Sequence, residues 1–173
     1  FLIIGQKFPK TVNISGDMSE NLKGVFTALF IIMALIMTLT ATTEFGATQW
    51  VERILGNAGA NAMILLAMTA GIMATGRFFA GPLIHRLNPA GVLIGSAVLA
   101  CLGLFMLSMV TGPMVYVGTA VFALGICYFW PTMLGFTAEN IPQSGALGLS
   151  LIGGAGMLGA GIWNPIIGGW IDS

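Results

Sequence analysis

Charge is what this sequence has least of. Its 173 residues include six lysines and arginines and six aspartates and glutamates, 7% in all, with one histidine and two cysteines. A soluble domain carries about 25% charged residues, so a water-facing shell of ordinary density cannot be built from this chain. The two signs balance to a net charge of zero, which excludes a basic face for nucleic acid and a field that would steer an acidic partner. Cys101 and Cys127 each lie inside an apolar run, so a disulfide framework is not indicated and both are expected to be buried, inert thiols. The chain has no glycine-rich phosphate loop ending in Gly-Lys-Ser/Thr and no His-Glu-x-x-His pair, and its serines and single histidine form no readable triad. Neither enzyme chemistry, nor a metal, nor another cofactor has a motif in its favour.

What is present is apolar. Hydrophobic residues make up 57% of the chain, with 25 glycines and 11 methionines. That composition makes lipid the main solvent. Small residues let membrane helices approach closely where no hydrophobic driving force separates helix from lipid. The expected fold class is all-α, a polytopic membrane bundle. The opening Phe1-Leu-Ile-Ile4, without an initiator Met, resembles the end of an earlier apolar segment. Residues 1–23 are expected to be that end plus a polar loop, with a short surface helix near Lys23. Residues 24–173 are expected to form five spans: 24–55, 60–84, 89–110, 113–138 and 146–171.

The punctuation supports that division. Asn88-Pro89 is a helix start, a capping side chain followed by proline at the first helical position. Thr111-Gly112-Pro113 is a tight turn, too short for a domain. The first span, at 1.5 Å per residue, would be about 48 Å long, against about 30 Å of hydrocarbon, so it must tilt, protrude or break. Gly46 is the expected place for a break or bend. Lys7, Lys10, Lys23, Arg77 and Arg86 fall on one side of the expected membrane and Arg53 on the other. Basic residues in short loops stay cytoplasmic. The amino end and the 85–88 and 139–145 loops are therefore expected on the cytoplasmic side of a cell membrane, and the Arg53 loop and the Gly112 turn on the outer side.

Against this background the stretch from Thr40 to Trp50 is anomalous, because it places Glu44, Gln49 and Trp50 on a continuing apolar helix. A charged group at membrane depth costs about 2.5–3.5 kcal/mol on insertion scales unless it faces protein or water. Glu44 is either a proton- or cation-coupling site, an acceptor for substrate hydroxyls, a solvated carboxylate near the outer mouth, or a structural partner of another helix. Gln49 and Trp50 lie about 140° and 240° around a regular helix from Glu44 at about 100° per residue, so only a break would bring the three together. Trp50 can line a cavity or anchor at the interface. In the fourth span Tyr128-Phe129-Trp130-Pro131 sets aromatics beside a proline that frees a carbonyl and bends the helix. Tyr128 and Trp130 are candidates for stacking on and bonding to a sugar-like solute, or for core packing; Phe129 is assigned to packing. Asn164, before Pro165, can bond solute or the freed backbone. His85, in a wet turn, is assigned to solvent.

The series Gly76-Arg77, Gly81-Pro82-Leu83, Arg86 and Pro89 resembles the short cytoplasmic loop between the eighth and ninth helices of the major facilitator superfamily. Glu139 and Pro142, the glycines at 153, 154 and 156, and Pro165 through Asp172 are similar to its later segments. Small residues before Trp50 and the Trp130-Pro131-Thr132 corner look like the fucose permease-like sugar–proton symporters. The resemblance implies half of a twelve-helix fold, helices seven to eleven, with the amino-terminal half of the same protein as partner. It implies alternating access by a small-molecule solute, with a proton as the coupling ion, and a cytoplasmic gating motif at Gly76, Arg77 and Arg86. Proton coupling in that branch is sought in the amino half, so a coupling role for Glu44 rests on the residue itself. An exporter of organic solutes, or a receptor that binds without transporting, would share the scaffold.

Overall fold

A computed structural model describes residues 18–50, 61–80 and 88–173. Among them every regular element is a helix, with no strand, and the helices form an all-α bundle. A short helix, α1 (Met18–Val25), leads into α2 (Ala28–Gln49). There follow α3 (Ala62–Phe78), α4 (Pro89–Met109), α5 (Met114–Ile126), α6 (Phe129–Asn140) and α7 (Gly145–Asp172), with one 3-10 turn at Pro142–Ser144.

The helix starts follow from local chemistry. Thr27 caps α2, its hydroxyl accepting from the Phe30 amide at 3.4 Å and donating to the Gly24 carbonyl at 2.8 Å. Asn61 caps α3 by accepting from the amides of Met63 and Ile64. Asn88 accepts from the Ala90 amide at 3.3 Å, with Pro89 in the first position of α4, where its missing N–H costs nothing. The α4–α5 turn passes through Gly112 at φ +66°, a left-handed conformation that favours glycine. The fourth expected span divides into α5 and α6 at Cys127 and Tyr128, and the loop expected at 139–145 is largely taken up by the end of α6 and the 3-10 turn. The ends of the first two expected spans at 51–55 and 81–84 lie outside the described residues, as do the loop at 1–17, Arg53, His85 and Arg86.

Among the described residues, four stretches are long and apolar enough to cross a membrane: Ala28–Gln49, Pro89–Met109, Met114–Asn140 and Pro142–Asp172; Ala62–Phe78 is a shorter apolar helix. The outer faces agree with a membrane protein. On α4, Ile94, Val98, Leu102, Phe105 and Met109 form an exposed ridge at helical spacing. Apolar ridges of that kind do not persist in water without a partner surface.

Neighbours in space are not neighbours in sequence. α2 packs along α7, and α3 along α5, while α4 folds back on α5 through the Gly112 turn. The α2–α7 seam runs parallel. Gly148 lies against Phe30, Gly156 against Met37 and Ala41, Gly159 against Thr38, and Gly168 under the Trp50 ring. Glycine opens each of these approaches, so the backbones come close where larger side chains would hold them apart. Gly46 belongs to the same seam, against Ile167 and Asn164. The break expected there is absent: α2 is helical through Gly46 to Gln49, and the Trp50 amide still donates to the Gly46 carbonyl.

Candidate functional site

The polar stretch at the end of α2 divides into two kinds of residue. The hydroxyls of Thr38, Thr40, Thr42, Thr43 and Thr48 all donate to carbonyls three or four residues earlier. Bonded in this way to their own helix, threonines are tolerable in lipid and need no cargo. Glu44 has no such outlet. It continues the buried stripe of Phe30, Met33, Met37 and Ala41, at intervals of three and four residues, and is itself 6% exposed. Its carboxylate therefore points into the bundle.

There it meets Arg77. Nη2 of Arg77 on α3 lies 3.4 Å from Oε1 of Glu44. Nε of the same guanidinium donates to the backbone carbonyl of Cys127 at 3.0 Å. That carbonyl is free for a definite reason. In a continuous helix it would accept from the amide of residue 131, and residue 131 is a proline. Arg77 thus supplies the hydrogen bond that Pro131 cannot, and one planar group joins three segments. The bond to Glu44 is long for a charge-assisted one, ordinarily about 2.7–2.9 Å. Oε2 of Glu44 has no protein partner.

Arg77 lies in the last turn of α3, the helix end at which it was expected, and it holds the end of a neighbouring helix through the Cys127 carbonyl. Gly76 and Arg77 stand beside Cys127 and Tyr128, near the middle of the Met114–Asn140 stretch, and the Arg77 side chain is 38% exposed. The break opposite supplies the acceptor. Gly76 permits the approach: a Cβ there would stand 2.6 Å from Sγ of Cys127.

The other candidates separate into distinct surroundings. Tyr128, a candidate for solute bonding or for core packing, donates its hydroxyl to the Gly76 carbonyl at 3.0 Å, one of the carbonyls left over at the end of α3. Gln49 is exposed and does not share the buried face of Glu44. Trp50 lies over Gly168, its Nε1 buried without a partner. Asn164 sits across the same seam near Gly46, with Oδ1 likewise buried and unpartnered. The Trp130 ring makes an edge contact with Phe45, centroids 6.2 Å apart, and its Nε1 has no partner. Phe129 is packed in the core, as assigned. Cys127 is buried, its thiol donating to the Met73 carbonyl, whereas Cys101 is exposed on the outer face of α4, contrary to expectation.

Four side chains picked from the sequence, Glu44, Trp50, Trp130 and Asn164, therefore carry a buried polar atom without a protein partner. A fifth, Thr132, was not foreseen; it is 2% exposed and its hydroxyl is equally unpartnered. Each such atom costs about 1–3 kcal/mol if nothing bonds it. Together they offer donors on two indoles, acceptors on a carboxylate and an amide, and a hydroxyl that can do either. Among the described residues no three His, Cys, Asp or Glu side chains come together in a way that could hold a metal ion. No family model matches the chain, and no curated protein or solved structure matches it either.

Proposed function

We propose that the chain is the carboxy-terminal part of a secondary active transporter of the major facilitator type. It moves a small, polar, sugar-like solute across a cell membrane by alternating access, with a proton as the coupling ion. The observation that carries this reading is the Glu44–Arg77 pair, a buried carboxylate in an apolar helix with one oxygen unpartnered. Removing two charges from water costs several kcal/mol per ion. Packing alone would be served as well by apolar residues, whereas a carboxylate that gains and loses a proton, or accepts from a hydroxyl, has to be ionisable.

The remaining residues support the same reading. Trp130 and Trp50 supply aromatic faces with unused N–H groups, and Asn164 an unused acceptor, in helices that would line a path between this bundle and the amino-terminal half. The bias of basic residues places the Lys23 end and the 85–88 and 139–145 loops in the cytoplasm. Gly76, Arg77 and Arg86 keep a place in the movement between states, with Arg77 acting from the end of α3.

The test is flux. The full-length protein in proteoliposomes is preloaded with unlabelled neutral sugars and offered the labelled ones in counterflow. The proposal expects accelerated exchange of at least one of them. Binding without exchange would make the protein a receptor, and exchange confined to bulky organic cations would make it an exporter of another solute class.

A further inference from the structure

Pro131 removes the amide that would hold the Cys127 carbonyl, and Arg77 replaces it while holding Glu44. We propose that Arg77 is the positioning residue that links proton binding on Glu44 to bending of the helix break at Cys127–Tyr128. This deepens the transporter reading and rests on it.

The guanidinium is rigid and planar, so its Nε and Nη2 cannot be aimed independently. With Glu44 ionised, the bond to Oε1 fixes the plane, and the plane fixes Nε on the Cys127 carbonyl. A proton adding to the carboxylate, with Oε2 free to take it, forms an O–H bond and cancels the charge that holds Nη2. Arg77 is then free to turn toward the open side, where its side chain is 38% exposed, and the Cys127 carbonyl loses its donor. The break already departs from helical geometry, with Tyr128 at ψ 0°. A buried carbonyl without a donor drives it to a second bend in which water or another N–H reaches the oxygen.

Among the described residues, Arg77 is the charged group that meets Glu44. α4 has no charged residue, and Glu139 of α6 and Asp172 of α7 are exposed at the ends of their helices. From α7 the Gly46 turn of α2 meets the neutral amide of Asn164. At the break the Cys127 thiol is bonded to the Met73 carbonyl and the Tyr128 hydroxyl to the Gly76 carbonyl.

Two measurements on the full-length protein in nanodiscs, without solute, test the link. The first is a thermal-unfolding cycle of Arg77→Gln and Pro131→Ala. An alanine at 131 restores an amide that can hold the Cys127 carbonyl, so Pro131→Ala should recover much of the Tm lost in Arg77→Gln. Additive shifts would overturn the carbonyl link. The second places spin labels on either side of the break, at Val117→Cys and Ala138→Cys, in a Cys101→Ser, Cys127→Ala background that keeps the backbone carbonyl. Lowering the pH from 8 to 5 should shift the distance distribution by about 2 Å or more, and Glu44→Gln should hold the low-pH distribution at both pH values. Arg77→Lys, which keeps the charge but has one ammonium for two directions, should lose the shift as well. A pH response that survives in Glu44→Gln or in Arg77→Lys overturns the proposal. Both readouts are independent of flux, so a protein that fails to exchange sugars can still show the link, and one that exchanges them can still lack it.

Discussion

Gly103 of α4 faces the backbone of α5 so closely that a Cβ there would stand 2.5 Å from Cα and 2.6 Å from Cβ of Phe122. Carbon atoms in contact settle at about 3.5–4.0 Å, so Gly103→Ala has to part the two helices by roughly 1 Å, and what is displaced is backbone rather than a flexible tip. Overpacking of this kind costs about 1–3 kcal/mol. A gap of about 0.5–1 Å also forfeits a quarter to a half of each dispersion contact along the seam. The expected loss is about 2–3 kcal/mol. Gly95 is two turns earlier on the same helix, and a Cβ there meets nothing within 4 Å. Gly95→Ala should therefore gain about 0.8–1 kcal/mol from helix propensity alone. Equilibrium unfolding of the two variants in mixed micelles gives the comparison directly. If both shift stability in the same direction by similar amounts, the close α4–α5 seam is wrong.

Two further substitutions separate packing from cargo. Tyr128→Phe removes the hydroxyl bonded to the Gly76 carbonyl, and should cost about 1 kcal/mol of stability while leaving the solute KM unchanged; a raised KM at unchanged stability would return Tyr128 to the solute site. Trp50→Phe deletes an N–H that has no protein partner, together with ring atoms that cover Gly168, so any loss of stability reports packing. A tenfold rise in KM in the same variant is expected if solute uses that donor, and an unchanged KM would remove Trp50 from the path.

Much of the bundle was legible in the sequence because helix ends are written in local chemistry. Asn88-Pro89 and Thr111-Gly112-Pro113 mark their boundaries whatever packs around them. The contents of the faces were harder to read. A helix apolar on every side gives no periodicity to say which stripe is buried, so the inward direction of Glu44 was invisible until α7 was placed beside α2. Glycine carried the same ambiguity: Gly46 is equally the mark of a break and of a close seam, and the choice was made by Asn164 and Ile167, over a hundred residues away. Arg77 was legible as a helix-end residue, but its two partners were not. The signal that could have found its role was arithmetic, since Pro131 leaves the carbonyl of residue 127 free and a lone arginine in apolar surroundings needs an acceptor. The threonines between 38 and 48 are bonded to their own helix.

The central claim is that Glu44 is the ionisable group through which a proton gradient drives solute movement. The direct measurement is uptake of the exchanged sugar into proteoliposomes under an imposed pH gradient, comparing the full-length protein with Glu44→Gln. The account predicts that the wild-type protein accumulates solute against its gradient, and that Glu44→Gln retains exchange but accumulates none at any pH. Accumulation by Glu44→Gln that still follows the pH gradient would contradict it.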